Sequence, residues 1–147
     1  MIKKILDLHT HSKYSRACSR DLVLPNIAKA CETRGIDIVA TGDFTHPALM
    51  EHIKENLVED TEGVYRLNER SGIRDQGSRT RFILGTEVAC IKKHKDITRR
   101  VHLLLFAPSI EAAEKLNTVL SDRGFNLKAD GRPILGITCK DLLALML

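Results

Sequence analysis

Apolar and polar positions alternate along the chain in short blocks, and their spacing predicts both strands and helices. Ile2 to Leu8 is a compact β-branched and leucine-rich run that predicts a buried strand. A polar stretch follows from His9 to Arg20. Leu24-Pro25-Asn26 then opens a helix, with Pro25 near its first turn, Ile27, Ala28 and Cys31 as its apolar stripe and Gly35 as its stop. Ile36 to Thr41 is the next strand, so the chain begins with a β-α-β unit, which gives parallel strands joined by a right-handed crossover. Pro47 opens a second helix striped by Leu49 or Met50, Ile53 and Leu57. Arg81 to Leu84 predicts a third strand, which Val88 to Ile91 extend, and Lys92 to Asp96 a hairpin loop before a strand from Arg100 to Phe106. Ser109 is the expected N-cap of a helix over Ile110 to Arg123, with Gly124 as its stop. Asp130 to Pro133 reads as a turn and Ile134 to Ile137 as a short strand. Thr138-x-x-Asp141 has the form of a capping box, with Asp for the usual Glu, ahead of a helix over Leu142 to Leu147.

One part breaks the pattern. Val58 to Thr80 is polar with scattered glycines, and is expected to be an irregular insertion of about 58–80 with a short hairpin around Val64 to Leu67. The chain also stops inside the apolar run Leu142 to Leu147, with neither cap nor polar finish, which predicts that it is the N-terminal part of a longer protein. A content of 43% hydrophobic and 29% charged residues suits an ordinary globular core. No stretch approaches the length of a membrane span, so no membrane partner is expected. The net charge of +4 suits either an anionic partner or solubility alone. With no tryptophan, a base-stacking platform is not expected. Cys18, Cys31, Cys90 and Cys139 are far apart without a Cys-x-x-Cys, which argues against a zinc finger or a disulfide framework and fits a reducing cytoplasm.

The chemistry sits where strands end. His9 and His11 follow the first strand two residues apart, so in an extended chain both rings point to the same side. Alone, such a pair is more often ordinary surface or loop histidines than a metal grip. Asp43 and His46 follow the second strand, Glu87 the third, and His102 lies in the strand after it. Each has a plain alternative: Asp43 a turn residue, His46 a helix cap, Glu87 a surface charge, His102 a core histidine bonded to a carbonyl. Their joint placement at the ends of successive strands is where α/β folds build sites. Four imidazoles and two carboxylates suit zinc, manganese or iron. The two oxygens of Glu87 can bridge two ions, and a two-metal centre generates hydroxide at neutral pH and neutralises a phosphate.

The chain resembles the PHP family of metal-dependent phosphoesterases, named for polymerase and histidinol phosphatase. The likeness lies in Asp7-Leu8-His9-Thr10-His11-Ser12, the helix stop of Cys31 to Gly35, the strand leading to Asp43, Gly85-Thr86-Glu87 and His102. It is closer still to the endonuclease Q group of DNA-repair nucleases, through His11 to Ala17, Thr41 to Pro47, His102 to Ser109 and Asp130 to Gly136. That resemblance implies an α/β fold, an incomplete distorted TIM-like (β/α)7 barrel with its first four to five strands present, and makes 1–147 the N-terminal portion of a single catalytic domain. It implies His9, His11, Glu87 and His102 as metal ligands, with Asp43 and His46 as further candidates, and catalytic roles for Asp43 and Glu87. Two divalent ions are expected (zinc, manganese or iron). Phe44 stands where many members have a histidine ligand, and no acidic or imidazole third-site ligand follows the first motif, so a third ion is not expected. The implied substrate is DNA, cut on the 5′ side of deaminated bases such as uracil and hypoxanthine. Lys13, Arg16 and Arg20 would contact phosphates, and Lys92, Lys93, Lys95, Arg99 and Arg100 would add nonspecific affinity; both groups read equally as solvated surface. The family completes its site with later histidines and an Asp-x-His, and no histidine follows His102, so this chain alone is expected to be poorly active. Two other readings share the ligands: a small-molecule phosphoesterase of the histidinol-phosphatase type, and a non-catalytic, metal-stabilised module associated with DNA.

Overall fold

The computed structural model describes residues 3–68 and 78–146. Seven strands and four helices follow in the order β1 (Leu6–Asp7), α1 (Leu24–Arg34), β2 (Ile38–Ala40), α2 (Pro47–Asn56), β3 (Leu57–Thr61), β4 (Val64–Leu67), β5 (Arg81–His94), β6 (Ile97–Ala107), α3 (Ile110–Asp122), β7 (Ile134–Leu135) and α4 (Cys139–Met146). They make a mixed α/β fold in which all strands join one sheet, ordered β1-β2-β5-β4-β3, with β6 and β7 also on β5.

Local chemistry accounts for most boundaries. The β1-α1-β2 unit is parallel as expected, with Leu6 opposite Ile38. Gly35 closes α1 at φ 70, its N–H reaching the carbonyls of Cys31 and Glu32, a conformation that costs glycine nothing. Pro47 opens α2, and the Ser109 hydroxyl accepts from the Ala112 N–H at 3.1 Å to start α3. The capping box forms in both directions: the Thr138 N–H donates to Asp141 Oδ2 at 3.2 Å, and the Asp141 N–H to Thr138 Oγ1 at 3.1 Å.

β5 is the spine. Its start pairs in parallel with β2 and, at Phe82, antiparallel with β4. From Leu84 onward it pairs antiparallel with β6, and Ala89 and Cys90 pair in parallel with β7. Side chains alternate across it. Phe82, Leu84, Val88 and Cys90 face the core with Val39 and Leu105, beneath Leu24 and Ile27 of α1, Ile53 of α2 and Leu120 of α3. Each such fully buried side chain contributes roughly 1.5–3 kcal/mol. The other face carries Gly85 and Glu87, with Phe106 and Leu104 opposite them in register. Leu6, Leu8, Leu104 and Phe106 remain exposed, so no layer covers this face among the described residues.

The sequence expectations change in several places. The first strand is confined to Leu6–Asp7 among the described residues. Leu57, expected in the stripe of α2, is the buried first residue of β3. The expected insertion of about 58–80 is regular at its start, where β3 and β4 form the hairpin, and 69–77 lie outside the described residues. The third strand and its extension are a single 14-residue strand. Lys95 and Asp96 turn this strand straight back into β6, both at positive φ (47 and 63) as a tight two-residue hairpin requires. No crossover helix intervenes there, so β6 is antiparallel, unlike a neighbour in a (β/α) barrel. Among the described residues the sheet is open. No helix among them is long and apolar enough to cross a membrane.

Candidate metal centre

Two loops set the first ligands. His9 and His11 lie just past β1, and the Thr10 hydroxyl between them donates to the Ala40 carbonyl at 2.7 Å, tying this loop to the end of β2. Gly42 allows the approach: it adopts φ 65, and a Cβ there would lie 2.7 Å from the Thr10 carbonyl oxygen. Glu87, only 3% exposed, rises between the histidines from the middle of β5. Its Oε2 lies 2.9 Å from His9 Nε2 and 3.2 Å from His11 Nε2. Its Oε1 lies 2.5 Å from His102 Nδ1 and 3.6 Å from Arg132 Nη1. Donor atoms of His9, His11 and Glu87 all fall within 4.8 Å of one another. Glu87 and His102 sit inside strands rather than at strand ends. The hairpin register puts Ala89 opposite His102, so Glu87 and His102 are diagonal neighbours on one face.

Asp43 supports this cluster from behind. It is fully buried at φ 47, a left-handed conformation that Asp tolerates better than most residues. Its Oδ2 accepts from the Ser12 N–H at 2.6 Å, the Ser12 hydroxyl at 2.7 Å and the Ser15 hydroxyl at 2.8 Å. Its Oδ1 lies 3.1 Å from His11 Nδ1. An ionised carboxylate only accepts, so the proton of that contact belongs to His11 Nδ1. The lone pair of His11 Nε2 is then left for a ligand, the carboxylate–histidine arrangement that orients metal-binding imidazoles. Gly131 packs against the same cage: a Cβ there would run into the Asp43 carboxylate and the Ser15 hydroxyl.

Burial works against ionisation of Glu87, but the His9 hydrogen bond and the charges of Arg132, His102 and His11 outweigh it, so its pKa falls below the ordinary glutamate value. His46 is not in the cluster. It is the N-cap of α2, with Nδ1 accepting from the Ala48 N–H at 3.2 Å, and its ring stacks on Tyr14 at 4.4 Å. Burial pushes its pKa down, against the hydrogen bond to the Lys128 backbone and the charges of Asp43 and Asp130. Lys13, Arg16 and Arg20 are exposed, Lys13 over the Tyr14 ring and Arg16 within 3.9 Å of Asp130. Lys92, Lys93, Lys95, Arg99 and Arg100 are exposed on the β5–β6 hairpin. Ser12, Ser15 and Arg132 lie in stretches that carry the family resemblance, but their individual roles are not legible there; they join the site through loop packing.

The donor set fits a divalent ion. Three nitrogen and oxygen ligands converge, one carboxylate is nearly buried and ionised, and one imidazole has its far nitrogen fixed by a second carboxylate. Glu87 also presents its two oxygens to different partners, His9 and His11 on one side and His102 on the other.

No family model matches the chain. Its fold is nonetheless shared with a class of solved enzymes, lesion-specific endonucleases. The solved member of that class that the chain resembles is endonuclease Q. The enzyme from Pyrococcus furiosus superposes with a TM-score of 0.76 at 26% identity, covering 95% of this chain and 31% of that one. A second structure, endonuclease Q in complex with a 27-mer duplex substrate with an abasic lesion at the active site, gives 0.77 at 28% identity with the same coverage, 95% and 31%. An uncharacterised protein of Methanocaldococcus jannaschii is 31% identical over 141 residues, which is 96% of this chain and 14% of that protein. The chain thus spans less than a third of each protein it resembles.

Proposed function

We propose that this chain contributes the metal centre of a DNA-repair endonuclease of the endonuclease Q type, which hydrolyses a phosphodiester on the 5′ side of deaminated bases, uracil and hypoxanthine. The observation that carries the reading is the buried Glu87, with His9 and His11 on one oxygen and His102 on the other. His9, His11 and Glu87 Oε2 would hold one divalent ion, and His102 and Glu87 Oε1 would contribute to a second; zinc, manganese and iron all suit these donors. Such ions would supply Lewis acidity toward the phosphate and activation of a water at neutral pH. The protein's own part is to keep Glu87 ionised, to fix His11 through Asp43, and to hold the ligands on the rigid hairpin of β5 and β6. Exposed Lys13, Arg16 and Arg20 beside the first motif would contact the DNA backbone, and the hairpin's basic residues would add salt-dependent affinity. The uncovered sheet face beside the site, and the greater length of the similar proteins, support the chain as the N-terminal portion of one catalytic domain whose sheet continues toward a barrel. Four free thiols suit a cytoplasmic setting.

The test is cleavage, with added manganese, of duplexes containing a single deoxyuridine or deoxyinosine. The expected product is a nick 5′ of the lesion, lost in Glu87→Gln, with slow turnover by the 147-residue chain alone. Hydrolysis of phosphomonoesters without any cut in DNA would replace this reading with the small-molecule phosphoesterase. No activity on either substrate, together with a lower melting temperature in Glu87→Ala, would replace it with a non-catalytic module.

A further inference from the structure

We infer that Arg132 is the group that binds the scissile phosphate at this centre, an inference that rests on the metal-dependent phosphoesterase reading above. Arg132 is the one Lys or Arg among the described residues that ion-pairs with Glu87, its Nη1 lying 3.6 Å from Oε1. That separation is too long for a hydrogen bond, so the guanidinium is held near the cluster by charge while its N–H donors stay unspent. None of them has a hydrogen-bond partner among the described residues, and the side chain is 40% exposed. A planar fork of free donors beside a metal-ligating carboxylate matches two oxygens of a phosphate, which an ammonium point charge does not.

The backbone that carries it is pinned on both sides. Before it, the Gly131 N–H donates to the Tyr14 carbonyl at 3.0 Å, and glycine is required there by the Asp43 cage. At it, the Arg132 N–H donates to Asp130 Oδ1 at 3.1 Å. After it, the Pro133 carbonyl accepts from the Ala89 N–H at 3.0 Å, where β7 joins β5 two residues beyond Glu87. The base of the side chain is therefore fixed relative to Glu87, which preorganises a binding group without a folding step at encounter. Lys13, Arg16 and Arg20 lack this attachment: Lys13 lies over Tyr14, Arg16 is 86% exposed beside Asp130, and Arg20 is exposed. With a metal ion neutralising Glu87, the guanidinium is left to the phosphate, where it would also meet the charge that grows on the non-bridging oxygens during displacement.

The test is calorimetric titration of wild type, Arg132→Lys and Arg132→Ala, first with manganese and then with inorganic phosphate on the manganese-loaded protein. Circular dichroism checks that each variant is folded, and the lysine variant keeps the test open if the alanine variant is not. The expected result is manganese affinity within about threefold of wild type in both variants. Phosphate affinity falls about 10–100-fold in Arg132→Ala, the range for a lost charge-assisted contact, and is recovered only in part by lysine. Phosphate binding to manganese-loaded Arg132→Ala as tight as to wild type, or no phosphate binding to manganese-loaded wild type, overturns the assignment while the metal centre stands. Wild type that takes up no manganese overturns the metal centre itself, and this inference with it.

Discussion

Replacing Asp43 by asparagine isolates what the buried carboxylate does. Asparagine keeps the shape and tolerates φ 47, so neither packing nor backbone strain changes. It has one acceptor oxygen and one donor amide where aspartate has two acceptors. If the amide faces His11, the imidazole must accept at Nδ1 and carry its proton at Nε2, the nitrogen that lies 3.2 Å from Glu87 and is needed for a metal. If the amide faces Ser12 instead, it meets a backbone N–H that had donated to Oδ2 at 2.6 Å, leaving a buried donor without an acceptor. The first orientation weakens metal binding about 10–100-fold, the usual effect of losing such a supporting carboxylate. The second destabilises the fold by about 1–3 kcal/mol, or roughly 2–10 °C in melting temperature for a domain of this size. Competition for zinc against a chromophoric chelator measures the first, and thermal unfolding of the metal-free protein measures the second. A variant that binds zinc within twofold of wild type and melts at the wild-type temperature would refute the argument that Asp43 sets the tautomer of His11.

Two further outcomes test neighbouring parts of the reasoning. In Gly131→Ala the new methyl collides with Asp43 and Ser15, so the turn must shift; a loss of about 1–3 kcal/mol in stability is expected by overpacking, together with weaker metal binding, and wild-type behaviour in both would show that the turn is not clamped. Burial, with Cys139 beside it, pushes the Cys90 thiol up to about 11, so its thiolate is scarce at pH 8 and grows only as pH approaches that value. Iodoacetamide labelling of the native protein at pH 8, read by peptide mass, should leave Cys90 unmodified, and labelling there as fast as in the unfolded chain would contradict its placement.

What the sequence made legible is what local chemistry decides. Gly35, Pro47, Ser109 and the Thr138–Asp141 pair act on backbone groups a few residues away, and the structure shows each doing so. The β-α-β start was readable for the same reason, from short apolar runs and one helical stripe. The continuity of β5 was not. Gly85-Thr86-Glu87 interrupts its apolar run because Gly85 and Glu87 face the site rather than the core, and a polar break reads as a strand end. The ligand types showed in sequence because imidazole and carboxylate are rare choices beside apolar runs. The supporting residues showed only as members of the stretches that carry the resemblance, without a role of their own, since serine, glycine and arginine are ordinary loop residues. Ser12 and Ser15 matter only because a residue about thirty positions away is buried against them, and Arg132 only because β7 returns beside Glu87. No periodicity records such contacts.

Those unrecorded contacts close a ring that fixes the candidate ligands relative to one another. Gly131 packs on Asp43, Asp43 holds His11, His11 meets Glu87, and Glu87 ion-pairs with Arg132, whose backbone follows Gly131 directly. Three loops and the β5 spine thereby fix one another, so no single ligand can turn away without disturbing the next. The same ring sets the charge. A glutamate with an ordinary pKa near 4.3 is already ionised at neutral pH, and the depressed value of Glu87 extends its ionised range further into acid. Metal binding at neutral pH would therefore release no proton from Glu87, and an ion on this carboxylate would displace the hydrogen bond between His9 Nε2 and Glu87 Oε2. His9 and His11 occupy one Glu87 oxygen, and His102 and Arg132 the other. These contacts thus gather around one carboxylate the side chains that would act as ligands.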